Sequence, residues 1–308
     1  MGARIREAVG HFNAGVRHQK QGNLEQAKEA YQRAIQANKA FAAAHNNLGF
    51  VCLKTGNYAT AAKYFQEVVR LEPDNVEALH NLGYAYEKQE MTGTAKTFYL
   101  KVSELDPANE EAYLNLGMIA EREGNFEEAR QYYRTAAQVN QHSARARFCL
   151  ALLYERTDLF DEAIAAYLEA LTHDATYLKA YFNVARLYHT QGEHAEAITY
   201  FEKALALDPQ NAQAHNNLGV VYEELEQRSQ AIACFQKAIE LDMFYPEAHL
   251  NLARAMYHHH YVDLNQERLQ SIMERLQMAV SLDPNHPEAQ AMLQEVQSLQ
   301  DIFSTTFS

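Results

Sequence analysis

The sequence predicts an all-α array of short helical hairpins, and three observations carry that prediction. A small residue recurs every 34 positions, at Gly15, Gly49, Gly83, Gly117, Ala151, Ala185, Gly219 and Ala253. Twelve residues later comes an alanine (Ala27, Ala61, Ala95, Ala129, Ala163, Ala197, Ala231), and four further on an aromatic (Tyr31, Phe65, Tyr99, Tyr133, Tyr167, Phe201, Phe235). Only 12 Gly and 6 Pro interrupt the 308 residues, too few for a β-rich or linker-rich chain, and Pro73, Pro107, Pro209 and Pro284 fall where units close. Fixed-period self-similarity marks a solenoid, in which each unit buries its apolar face only by stacking on its neighbours.

Seven units run without insertion or deletion, at 8–41, 42–75, 76–109, 110–143, 144–177, 178–211 and 212–245. Each reads as two antiparallel helices. The small residue on the first helix and the alanine on the second allow close approach, and the aromatic fills the space between them. Gly22, Gly56, Gly124 and Gly192 fall at the turn between the two helices, where a left-handed backbone is needed. Proline ends the second helix because it lacks a donor. The eighth unit, 246–286, is irregular: Leu252 and Ala253 keep register, but Pro284 arrives seven residues late. The extra residues lie near Tyr257–Asn265, so either the turn is lengthened or the first helix is extended. Residues 287–303 place Met292, Val296, Leu299 and Phe303 on one helical stripe and are expected to cap the exposed end. Ser304–Ser308 are expected to fray. Met1–Glu7 is too short for a capping helix, so the start is thinly protected. The expectation is one solenoid over 1–308, with no linker and no second domain.

The small, alanine, aromatic and proline positions agree in register many times over, and the chain thereby resembles the tetratricopeptide repeat family across about nine tenths of its length. The resemblance implies a right-handed superhelix of about one turn, with first helices lining a concave surface where ligands lie. It also implies a protein-binding role.

Composition excludes other classes. With charges spread throughout, no stretch approaches the roughly 20 apolar residues that a spanning helix requires. Arg4, Arg6 and Glu7 lead into polar His11, Asn13 and Arg17, which is no secretory signal, and Arg6 spoils a myristoylation site. Cys52, Cys149 and Cys234 are too scattered for a disulfide or zinc framework and fit a reducing cytoplasm. The net charge of −13 argues against nucleic acid. That charge is uneven: residues 1–143 carry a net of −1, and residues 144–308 a net of −12. It is either a solvated acidic surface or a surface that steers a basic partner.

Chemistry is sparse. His258-His259-His260 is the one metal-like cluster in sequence, but consecutive helical residues point about 100° apart and cannot converge on one ion. No metal or cofactor is expected. His45, His215 and His249 stand where the repeat takes a large side chain, which packing explains. Cys149 has Arg145 and Arg147 as neighbours, which would lower its pKa, but no catalytic histidine at a meaningful spacing. With no phosphate loop, nucleophile elbow or metalloprotease motif, the chain reads as no enzyme.

Two columns are the candidate binding residues. Two positions before the small residue stand Asn13, Asn47, Asn81, Asn115, Asn183, Asn217 and Asn251, with Cys149 interrupting. A side-chain amide offers donors and an acceptor, so it can satisfy both polar groups of a peptide unit. Helices packed about 8–10 Å apart would set one asparagine against every third residue of an extended ligand. The column resembles the asparagine ladder in the superhelix of O-linked N-acetylglucosamine transferases, whose catalytic domain has no counterpart here. The alternative is that the asparagines bond between neighbouring helices. Phe148 and Phe182, beside Cys149, suggest an apolar middle to the groove. Five positions after the small residue run Lys20, Lys54, Lys88, Arg122 and Arg156, then Thr190, Glu224 and His258. The helix dipole favours cations there by about 0.3–1 kcal/mol each, and Glu87, Glu121, Glu155 and Glu223 stand beside them. The carboxylate clamp that the resemblance would offer for chaperone tails fails, because Glu77 and Asn81 occupy its basic places.

The expected function is a non-catalytic adaptor or assembly factor holding a protein or peptide segment in the groove. Its ligand would present acidic or mixed charge to repeats one to five and basic charge to repeats six to eight. A self-associating scaffold is the alternative. A recruiting subunit of an enzyme complex such as a glycosyltransferase is a further one.

Overall fold

The computed structural model describes residues 2–260 and 264–306, with side chains described for 2–259 and 264–302. Among these residues the secondary structure is seventeen helices and no strand. The chain forms two compact units, residues 1–158 and 159–308. The first holds α1 (Gly2–Lys20), α2 (Leu24–Ala37), α3 (Ala42–Lys54), α4 (Tyr58–Leu71), α5 (Val76–Glu87), α6 (Thr92–Leu105), α7 (Glu110–Arg122), α8 (Phe126–Val139) and α9 (Ala144–Arg156). The second holds α10 (Phe160–His173), α11 (Leu178–Thr190), α12 (His194–Leu207), α13 (Ala212–Glu224), α14 (Arg228–Leu241), α15 (Pro246–His260), α16 (Gln266–Leu282) and α17 (Pro287–Thr306). The fold is an all-α solenoid, and the helices begin and end where the 34-residue comb puts them.

Inside each hairpin the small residue of the first helix lies against the ring of the second. A methyl group on Gly15 would sit 2.5 Å from the Tyr31 ring, and one on Gly83 2.9 Å from the Tyr99 ring. The seven aromatics are at most 1% exposed. Burying a ring of this size stabilises by about 1.5–3 kcal/mol, so these contacts make up much of each repeat's core. Second helices stop two residues before Pro73, Pro107, Pro209 and Pro284. Several first helices start on a side-chain cap: Asn75, Asn109 and Asn211 accept from the backbone N–H three residues on, at 2.9, 3.1 and 2.9 Å.

These histidines, of which His45 and His249 are buried and His215 is half-buried, do more than fill space. Nε2–H of His45, His215 and His249 donates to the carbonyls of Lys39, Pro209 and Met243, each six residues back, at 2.9, 3.1 and 3.1 Å. An imidazole thereby ties the start of a first helix to the turn leading into it.

The eighth repeat spreads its extra residues: relative to the seventh, α15 gains two, α16 gains three behind the N-cap Asn265, and the stretch between them gains two. The predicted insertion spans Tyr257–Asn265, of which 261–263 lie outside the described residues. Leu276 replaces the aromatic and is fully buried, with Leu269, Ile272 and Ala279 around it. The capping role of 287–303 holds, since Ala289 and Val296 are buried against this cluster and Met292 and Leu299 pack on it. The side chain of Phe303 lies outside the described residues. The helix α17 continues through Thr306, and residues 307–308 lie outside the described part. At the other end, residues 2–7 lengthen α1 instead of forming a separate cap, leaving Ile5 49% and Val9 42% exposed.

The helix-to-helix turns follow a two-bond closing pattern. Gly22 N–H bonds Gln19 O and Asn23 N–H bonds His18 O, at 3.1 and 2.9 Å; Glu90 N–H and Met91 N–H repeat this with Glu87 O and Tyr86 O. The residue at the turn takes positive φ, from +75 to +80° in Gly22, Gly56, Gly124 and Gly192. In the same register stand Glu90 (φ 62°), Asp158 (58°) and Glu226 (57°), where a side chain is strained. Glu90→Gly and Glu226→Gly should therefore each raise stability by about 1 kcal/mol. Urea denaturation monitored by circular dichroism checks this, and an unchanged midpoint would count against the strain.

Candidate functional site

The asparagine column does two kinds of work. Nδ2 of Asn47 donates to the Tyr31 hydroxyl at 3.2 Å, and Nδ2 of Asn183 to that of Tyr167 at 2.9 Å, each joining a first helix to the ring of the preceding repeat. Asn251 is 9% exposed; it donates to Asn216 Oδ1 at 3.0 Å and accepts from Arg254 at 2.9 Å. Asn115 is buried as well, and Asn13 is exposed. Asn81, Asn217 and Asn251 open into clefts. In the first unit a cleft of about 440 Å³ is lined by Val76, Glu77, His80, Asn81, Asn109 and Glu111. In the second, a cleft of about 610 Å³ gathers Gln213, Asn216, Asn217, Tyr245, Glu247 and Asn251 among its walls. The column one residue earlier, which includes His80, Asn216 and Leu250, shares these walls, and the sequence reading drew on it only at Phe148 and Phe182. Its 34-residue spacing was the available signal, but its residue types vary.

The basic column is largely engaged by the protein itself. Arg122 pairs with Glu87 at 3.0 Å and Arg156 with Glu121, each reaching back one repeat. The Glu87 side chain is only 9% exposed and also accepts from the Tyr99 hydroxyl at 3.1 Å. Glu121 likewise accepts from the Tyr133 hydroxyl at 2.8 Å. Burial, then the adjacent carboxylate, pushes the Tyr99 phenol above its ordinary value. Lys54 lies 5.4 Å from the centre of the Phe50 ring and Lys88 5.2 Å from that of Tyr84, while Lys20 is exposed. In the second unit Glu223, 13% exposed, is held by Arg254 at 3.2 Å and by His258 at 3.5 Å.

Two expectations about chemistry are corrected. Cys149 is not activated by its arginine neighbours: burial pushes its thiol up to about 11, Glu121, Glu111 and Glu110 add to that, and only Arg145 opposes it. It is therefore a poor nucleophile at neutral pH. The His258 run is not the only metal-like group either, because His189, His194 and Glu224 converge from three helices; the side chain of His260 lies outside the described residues. Phe148 is 8% exposed and Phe182 packs edge-on against Phe201, so the apolar middle is mostly turned into the core.

His80, in the first cleft, lies 5.5 Å from the Tyr99 ring. Burial holds its imidazole below the ordinary value, against the pull of Glu111 and Glu87. The unfolded chain therefore takes the proton first, and stability is lost as pH falls through about 6.5. Phenylalanine fills the same column at Phe148 and Phe182. His80→Phe should lose less stability than the parent between pH 7 and pH 5, by parallel urea titrations; equal losses would remove His80 from the account.

Tetratricopeptide-repeat family models match residues 12–71, 53–116, 92–143, 114–177, 185–226 and 212–242. Among curated proteins none matches the chain. Among solved structures, the C-terminal part of a tetratricopeptide-repeat protein from Cytophaga hutchinsonii superposes with a TM-score of 0.67 at 15% identity, over 79% of this chain and 97% of that one. A tetratricopeptide-repeat protein from Parabacteroides merdae gives 0.59 at 21% identity, over 82% and 99%. The MamA protein gives 0.51 at 26% identity, over 56% and 93%. Among the described residues no helix is long and apolar enough to cross a membrane. The repeats, their ring-on-glycine packing and the matching family models agree: the chain belongs to the tetratricopeptide-repeat family and is a protein–protein interaction module.

Proposed function

We propose that the chain is a non-catalytic adaptor or assembly factor that holds an extended protein segment against its first helices. The observation that carries this reading is the opening of Asn81 and Asn217 into clefts of peptide-binding size. Amides there can meet a ligand backbone without regard to its sequence, while the walls select side chains. The second cleft has Asp242 and Glu247 among its lining residues, which favours a segment carrying lysine or arginine; Glu288 lines it too but pairs with Arg254 at 2.8 Å. Glu223 and Glu224 contribute less to that preference than the sequence suggests. Glu223 is committed to Arg254, and Glu224 to His189.

Selection from a random peptide library on the whole protein tests this. Basic sequences should be enriched, and a double variant Asp242→Lys, Glu247→Lys should lose them. Asn217→Ala should weaken the selected peptides about tenfold, in line with a lost pair of buried hydrogen bonds at roughly 1.4 kcal/mol per decade. Asn183→Ala, on an internal bond, serves as the control for folding. Enrichment that is absent, or identical with the double variant, would sink the reading.

A self-associating scaffold is a second reading, favoured by adjacent Met243 and Phe244, which are 59% and 67% exposed at the turn before α15. Light scattering over a hundredfold range of concentration should then show rising mass that Phe244→Asp abolishes, and a constant monomer mass would exclude it.

A further inference from the structure

Three helices of the second unit bring two imidazoles and one carboxylate to a single point. His189 lies in the last turn of α11, His194 opens α12, and Glu224 ends α13. The left-handed turn at Gly192, φ +80°, folds the chain back so that histidines five positions apart face each other, with ring centres 6.1 Å apart. Nε2 of His189 stands 2.8 Å from Glu224 Oε2, and Nδ1 of His194 stands 3.6 Å from the same oxygen. One ligand atom from each of the three residues lies within 4.8 Å of the other two. The side chains are 23%, 29% and 46% exposed, so the point is sheltered yet open to solvent. Nδ1 of His194 is itself shielded from solvent and has no hydrogen-bond partner.

From this arrangement we propose a binding site for a divalent metal ion of the zinc class. Two neutral imidazole nitrogens and one carboxylate oxygen are a donor set that suits zinc and its borderline neighbours. Bonds of about 2.0–2.1 Å in a tetrahedron require ligand atoms roughly 3.3–3.4 Å apart, and the separations of 2.8 and 3.6 Å bracket that value. The third pair, between the two imidazole nitrogens, lies within 4.8 Å, and side-chain rotations would bring it to that spacing. The ion would satisfy the orphaned His194 nitrogen, replace the His189–Glu224 hydrogen bond and neutralise the carboxylate. A fourth position stays open to water or to a partner's side chain. Because His189 and His194 belong to the sixth repeat and Glu224 to the seventh, the bound ion is a clamp between adjacent repeats.

Calorimetric titration of untagged full-length protein with zinc chloride tests the site, together with the visible spectrum on adding cobalt(II). The parent should bind one ion saturably, give the intense bands of tetrahedral cobalt and melt at higher temperature in zinc than in EDTA. Glu224→Gln, and His189→Ala with His194→Ala, should weaken binding at least tenfold and abolish the zinc-dependent shift, while melting in EDTA shows that each is folded. A variant with His258, His259 and His260 all changed to Ala should bind as the parent does. No saturable binding by the parent, unaltered binding by Glu224→Gln, or loss confined to the His258–His260 variant would each overturn the proposal. Should a triad variant fail to fold, the cobalt spectrum of the parent still decides: octahedral bands alone reject the site.

Discussion

The structure depends on one approach distance, that between the small residue of each first helix and the ring of its second. Where that residue is glycine, the ring occupies the volume a methyl group would need, as at Gly15 against Tyr31 and Gly83 against Tyr99. Such contact fixes how close the two helices sit and which faces remain outward. Everything on the first-helix face inherits its placement from there. A side chain two positions before the contact points toward the preceding repeat, and one four or five positions after it reaches the repeat boundary. The binding columns are thus consequences of packing geometry, repeated with each hairpin.

Much of the fold was legible because its determinants are local and periodic. The comb located nearly every helix, and Gly22, Gly56, Gly124 and Gly192 announced their turns by residue type. Glu90, Asp158 and Glu226 take the same left-handed conformation, but nothing in an acidic residue signals it. The register alone, imposed by packing on both sides, forces the conformation. The eighth repeat was legible as irregular, yet the division of its extra residues among α15, α16 and the stretch between them depends on which leucines become buried, a tertiary matter.

The site was less legible, for a different reason. Sequence spacing shows that asparagines form a column but not which amide faces a cleft. Asn47 and Asn183 meet a tyrosine hydroxyl because the preceding repeat ends its core in Tyr31 and Tyr167. Where that ring is Phe65 or Phe201, no such hydroxyl exists, and Asn81 and Asn217 open into clefts instead. For Asn47 and Asn183 the partner is written 16 residues upstream, outside any motif. Likewise His189, His194 and Glu224 are separated by 5 and 30 residues, spacings that carry no ligand signature until a turn and a repeat boundary superimpose them.

The backward reach of Arg122 to Glu87 and of Arg156 to Glu121 gives the array a direction. Each sheltered carboxylate depends for its counter-charge on the repeat that follows, whereas each arginine stays more than half exposed. Severing the chain between two such repeats is therefore asymmetric. The piece that keeps the glutamate loses the guanidinium and is left with only the tyrosine hydroxyl behind it, so water at the new end has to take over. The piece that keeps the arginine loses little, since water readily solvates its head group. Trimming repeats from the carboxyl end should thus disturb what remains more than trimming from the amino end, and growth of the chain in its order of synthesis completes each ion pair only when the next repeat docks.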